Sequence, residues 1–280
     1  MPGIRVVTDS ACDLPPAMAA EFGIEIVPLT IRFGNEELVD RRDLSPQEFW
    51  SRVASSPVLP ETAAPSPGAF EEAYRAAAAD GADGVVCVTL SGALSATYQS
   101  AMMASQAMAD SIPVRVVDSR TVTIAQGLMA IAAARAAKQG KGLEDCVGVV
   151  EDLVPRTRVY GALDTMENLK KGGRIGAAQA MLGSVLSIKP IIEVSDGKVE
   201  AESRQRTRSK SLRYLVEKVR EHGQVEDLAV AHGDAKDLDE LLDLLGAVYP
   251  RDDILIGDIG PVIGTHGGPG VIGVVFHVPR

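Results

Sequence analysis

The sequence predicts a two-domain α/β protein, with a parallel sheet covered by helices in residues 1–154 and an α/β domain with a mixed sheet in residues 155–280. Two observations carry this reading. Through the first half, β-branched runs alternate with helix-patterned stretches over short connections, as parallel strands with helical crossovers do. In the second half Asp196-Gly197 separates two strand-like runs, and that dipeptide favours a tight hairpin turn between antiparallel strands. No glycine- or serine-rich linker divides the halves, so the domains are expected to pack together.

From the N-terminus, residues 4–8 form a β-branched run, followed by the cap-like Asp13 and a helix opening at Pro15-Pro16. Residues 24–33 read as one strand. Ser45-Pro46-Gln47-Glu48 is a capping box that starts a helix ending near Ser55. A loop with Pro57, Pro60, Pro65 and Pro67 precedes a helix over 69–79, a buried strand over 85–89, a helix over 95–109 and a strand over 114–117. Helices over 123–138 and 143–153 lead to a strand over 156–162. Beyond the glycine turn at 172–173, strands at 188–194 and 199–203 flank the hairpin. Helices near 207–222 and 236–247 then alternate with strands at 225–232, 252–258 and 270–278.

Composition narrows the function classes. The 28 basic and 38 acidic side chains give a net charge of −10, which argues against nucleic acid or an anionic membrane as a general partner. Cys12, Cys87 and Cys146 form no paired pattern, which fits reduced thiols. No run reads as a signal peptide or is long enough to span a bilayer, so a cytoplasmic protein without stable membrane insertion is expected. His222, His232, His266 and His277 lack metal-ligand spacing, and neither a phosphate-binding loop nor a nucleophile elbow occurs. No metal and no cofactor is expected. The formal G-x-G-x-x-G at Gly268, Gly270 and Gly273 runs into a strand rather than a helix, which removes the dinucleotide reading.

Four stretches could carry chemistry. Residues 89–101 pass from a buried strand into a helix, the sheet edge where open α/β folds bind ligands. There Ser95 reads either as a helix cap or as a donor to an anion. Thr62 is a loop hydroxyl ahead of a helix. His266, among four glycines, reads either as structural or as a side chain presented at a cleft by a tight backbone path. Asp9, Ser10 and Asp13 read as ligand-loop organisation or as turn and capping chemistry. Two basic spots, at 170–174 and 204–210, read as solvated surface or as an anion or partner footprint. Six of the eight methionines fall between Met102 and Met181, and they read either as tunnel lining or as core filling.

Taken in order, Thr8-Asp9-Ser10, Thr62 before Pro65-Ser66, residues 94–100, Asp118-Ser119, residues 170–176, Lys189-Pro190, Arg206-Thr207 and His266 before Gly268-Pro269-Gly270 resemble the DegV family of fatty-acid-binding proteins. The resemblance implies a buried tunnel for one long-chain fatty acid, with Thr62, Ser95 and His266 holding its carboxyl group. It also implies a partner, an ATP-dependent fatty-acid kinase that makes an acyl-phosphate, with Arg174 and Arg206 facing it. The protein would then be a carrier rather than an enzyme. The chain departs from the family pattern at Gly92, Ala63-Ala64, Ala96 and Gly267, which removes polar groups near the head-group site. Two alternatives stay open: a hydrolase using Ser95, His266 and an acid such as Asp9, and a regulatory module that senses fatty acids.

Overall fold

A computed structural model describes residues 3–56, 58–181 and 188–280. Its first sheet is parallel, in the order β2-β1-β6-β7, formed by β1 (Ile4–Asp9), β2 (Ile24–Val27), β6 (Gly84–Thr89) and β7 (Val114–Asp118). β6 is buried along its whole length, as expected for a strand covered on both faces. Helices α1 (Pro16–Phe22), α2 (Pro46–Ser55), α3 (Pro67–Ala79), α4 (Thr97–Ala107), α5 (Ile124–Lys138) and α6 (Leu143–Leu153) follow in turn. The capping box at α2 is formed in full, with Ser45 and Glu48 each satisfying the other's backbone N–H.

The expected strand over 24–33 is in fact two. Pro28 has no N–H to continue a ladder, and beyond it the chain leaves the parallel sheet. There β3 (Thr30–Phe33) pairs antiparallel with β4 (Glu36–Val39) and β5 (Glu61–Ala63) in a separate three-stranded sheet. β5 carries Thr62 opposite the fully buried Ile31. Pro57, in the proline-rich loop before it, lies outside the described residues.

The second half builds a six-stranded mixed sheet in the order β10-β9-β8-β13-β11-β12. Its strands are β8 (Thr157–Ala162), β9 (Lys189–Ser195), β10 (Lys198–Gln205), β11 (Glu226–His232), β12 (Leu255–Asp258) and β13 (Ile272–His277). The expected hairpin joins β9 to β10, with Asp196 and Gly197 both at positive φ, as a type I′ turn requires. Helices α7 (Glu167–Lys171), α8 (Arg208–Glu221), α9 (Leu238–Leu245) and α10 (Pro261–Gly267) complete the chain.

One face of this sheet, with Tyr160, Ile191, Val230, Val274 and Phe276, packs under α8 and α9. The other face belongs to a core that runs on into the parallel half through Val159, Val194, Ala231 and Val275. α5 lies between the layers, touching β1 and β6 on one side and β8, β11 and β13 on the other. Met108, Met129, Met166 and Met181 are core filling.

Candidate functional site

A cavity of about 210 Å³ lies between the mixed sheet and the elements packed on it. That exceeds the volume of roughly 150 Å³ at which an apolar protein cavity stays dry and takes up benzene. Its floor exists because side chains there are small. Gly161, Gly273 and Ala231 lie side by side in register across β8, β13 and β11, with Ile192 beyond Gly161 on β9. The walls are Val, Ile and Leu from several elements, including Leu29, Leu90, Leu169 and Ile263. Among the described residues no methionine lines it.

Polar groups gather at one end. Thr62, Ser95, His266 and Arg174 all line the cavity, although they come from β5, the β6–α4 connection, α10 and the turn after α7. Thr62, His266 and Arg174 also line an outer cleft of about 670 Å³, with Val58 at 60% exposure on its rim. These three side chains therefore stand where an apolar interior meets a surface opening. Arg206 is not among the lining residues. It is exposed, between β10 and α8, and has no hydrogen bond or ion pair among the described residues.

Ser95 does not begin a helix. α4 starts at Thr97, and its N-cap position, Ala96, has no side-chain cap. The Ser95 hydroxyl sits 2.9 Å from Thr97 Oγ1 and accepts from Thr97 N at 3.3 Å. The short α10 also differs from the expected glycine-rich loop. His266 occupies its last turn, and Gly268 leaves the helix at φ 76°.

The Nε2 atom of His266 lies 3.1 Å from Thr62 Oγ1, while its buried Nδ1 has no hydrogen-bond partner among the described residues. A protonated Nδ1 would be a buried donor without an acceptor. The tautomer that avoids this keeps its proton on Nε2 and donates it to Thr62, leaving the Thr62 hydroxyl proton free for a ligand oxygen. Burial, helped by the nearby Arg174 guanidinium, pushes the imidazolium pKa down to about 4, so the ring is neutral at pH 7. Arg174 donates from Nε to Leu94 O at 3.1 Å and from Nη1 to Gly172 O at 2.6 Å, next to Ser95 and against His266 respectively.

Buried acids organise the walls. Asp9 accepts from Leu90 N at 2.8 Å and from Ala11 N at 3.0 Å, and Ser10 Oγ accepts from Leu29 N at 3.0 Å. Asp13 accepts from Thr123 Oγ1 at 2.7 Å and from Gly260 N, just before α10, at 2.9 Å. The turn-chemistry reading of this stretch therefore holds, and the loops it organises carry Leu29, Leu90 and Thr123 to the cavity wall. Burial pushes Asp9 and Asp13 up to about 7. Asp9 is committed to backbone N–H groups, and among the described residues no carboxylate partners His266 Nδ1 as a hydrolase relay requires. Among the described residues no group of His, Cys, Asp and Glu could hold a metal ion, and no helix is long and apolar enough to cross a membrane.

A family profile described as "Uncharacterised protein, DegV family" matches residues 3–278. The chain belongs to the DegV family. A DegV domain-containing protein of Streptomyces coelicolor is 38% identical over 277 residues, covering 97% of each chain. The structure described as "Fatty Acid Binding of a DegV family Protein from Thermus thermophilus" has a TM-score of 0.91 at 32% identity, covering 99% of this chain and 100% of that one. "DegV, a fatty acid binding protein from Bacillus subtilis" has a TM-score of 0.87 at 30% identity, covering 100% of both.

Two residues of this DegV chain escaped the sequence reading. Gly172 lies so close to His266 that a Cβ built on it would stand 2.3 Å from Nδ1. The buried Asn168 donates from Nδ2 to Thr265 O at 3.0 Å. The glycine turn was visible as a turn, but nothing local announced what it faced. Asn168 sits in a five-residue helix with too little pattern to flag a buried polar side chain.

Proposed function

We propose that this protein binds one long-chain fatty acid, with its tail in the apolar cavity and its carboxylate at Thr62, Ser95 and His266, and presents that carboxylate to a fatty-acid kinase. The observation that carries the reading is that Thr62, Ser95 and His266 all line the apolar cavity, with Thr62 and His266 3.1 Å apart and also lining the outer cleft.

The chemistry is consistent. A methylene leaving water contributes about 0.8 kcal/mol, so the fourteen methylenes of a sixteen-carbon acid contribute roughly 11 kcal/mol before association costs. Each hydrogen bond to a charged group adds about 1.5–3 kcal/mol. The tail therefore dominates affinity, and the head-group site sets orientation. Two hydroxyls backed by a neutral histidine satisfy a carboxylate without a bidentate cation, which leaves an oxygen free to attack the terminal phosphorus of ATP. That oxygen forms the new O–P bond as the bond to the ADP oxygen breaks. Arg174 at the mouth and the unpaired, exposed Arg206 are the positive charges offered to such a partner on an acidic protein. A cytoplasmic location fits this role.

Thr62→Ala, Ser95→Ala and the double variant test the head-group assignment. Each single change is expected to leave the fold intact and to weaken palmitate retention about tenfold or more. Parental affinity in all three would move the head group elsewhere.

A further inference from the structure

The short helix that carries His266 is held differently at its two ends. At its start, Asp13 accepts from Gly260 N, and Trp50 Nε1 donates to Ile259 O at 3.1 Å. At its far end, the last backbone carbonyls of a helix have no intrahelical donor, and seven residues are too few for a helix to persist unaided. Here Asn168 Nδ2 donates to Thr265 O, one residue before His266. The Asn168 side chain also packs on Gly268, where an added Cβ would lie 2.9 Å from its Oδ1.

The same residue reaches the other side of the imidazole. Its backbone carbonyl accepts from Gly172 N at 2.9 Å, which seats Gly172 against Nδ1. Gly172 O in turn accepts from Arg174. Asn168 thus fixes the helix under the ring with its side chain and the wall behind the ring with its main chain. Gly172 stands against the Nδ1 side of the ring, and Nε2 faces Thr62.

We propose that Asn168 is a positioning residue for the ligand carboxyl group, acting through its amide donor to hold His266 in line with Thr62. The inference rests on the head-group reading above. It implies that occupancy of the carboxyl site and the order of the 168–174 turn, which carries Arg174 at the mouth, are coupled.

The test loads delipidated protein with [1-¹³C]palmitate and records the carboxyl ¹³C resonance, which reports the head group separately from tail burial. Parent, His266→Ala, Asn168→Ala and Asn168→Asp are compared, with thermal unfolding to confirm the fold. Asn168→Asp preserves the shape of the side chain and, when ionised, replaces the donor with a second acceptor oxygen and a negative charge. Both Asn168 variants are expected to move the resonance toward its position in His266→Ala and to weaken palmitate binding about tenfold, the factor for one hydrogen bond of ordinary worth. If both fold and leave the resonance at its parental position while His266→Ala shifts it, the assignment of Asn168 is wrong. A resonance shifted by Asn168→Ala but not by Asn168→Asp assigns packing rather than donation, and overturns it too. No bound resonance in the parent removes the head-group reading itself, and this inference with it. Should the variants not fold, side-chain amide exchange at Asn168 in the parent decides. Slower exchange with palmitate bound supports the coupling, and unchanged exchange refutes it.

Discussion

Gly172→Ala is the smallest change that reaches the head-group site without touching a ligand-facing atom. Gly172 has φ −74° and ψ −6°, ordinary helical backbone that alanine adopts freely, so the substitution acts through its methyl group alone. That methyl would stand 2.3 Å from His266 Nδ1, 2.8 Å from Cε1 and 3.1 Å from Asn168 O. A comfortable contact is about 3.5 Å, so the ring must retreat by about 1.2 Å. It has no slack, because Nε2 already lies 3.1 Å from Thr62 Oγ1. The ring must swing out of line, and the Thr62–His266 pair is lost. Weakening one hydrogen bond to a charged carboxylate costs about 1.5–3 kcal/mol, or about 10- to 150-fold in palmitate affinity. Overpacking adds about 1–3 kcal/mol of destabilisation. Gly173→Ala is the control: it has φ +70° and open space around the added carbon, so it should cost about 1–2 kcal/mol of stability through backbone strain and leave affinity unchanged. Displacement of a fluorescent fatty acid from delipidated protein, with thermal unfolding alongside, separates the two effects. Parental affinity in Gly172→Ala, or equal losses in both variants, would refute the argument.

Arg206→Glu should retain a full lipid load yet slow phosphorylation by an added fatty-acid kinase, and raised salt should reproduce that slowing in the parent; lipid loss on this change would assign Arg206 to the cavity instead. For His266, whose pKa in the folded protein is pushed down to about 4, the stability it contributes is present above the unfolded value of 6.5 and is lost as pH falls through about 4. Asp9 and Asp13, raised to about 7, act in the opposite sense, their contribution being lost as pH rises through that value. The informative quantity is therefore the difference between parent and His266→Gln in urea denaturation, which should shrink between pH 6.5 and 4. A difference that stays constant over this range would show a histidine that titrates normally.

The elements with strong local signals were legible. Alternating strands and helices gave the parallel sheet, Asp196-Gly197 gave the hairpin, and the Ser45–Glu48 box gave α2. What escaped was made of short pieces stabilised by distant partners. β5 is three residues whose pairing depends on β3, and α10 is seven residues pinned by Asp13, Trp50 and Asn168. The break at Pro28 was readable in principle, because a missing N–H cannot sit inside a ladder. Thr62, Ser95 and His266 each had a bland local reading, and only the resemblance linked them. Their common position at one cavity end is a property of the tertiary fold. Nothing in the sequence placed small residues side by side across three strands, so the cavity floor was invisible before register was known.

The central claim is that the cavity holds one fatty acid, and its most direct test is organic extraction of the purified protein followed by mass spectrometry, with palmitate and oleate added back to the delipidated chain. A long-chain fatty acid near one per chain is expected, with saturable re-uptake that Thr62→Ala and Ser95→Ala weaken. An extract free of fatty acid, together with no uptake of either acid, would contradict it.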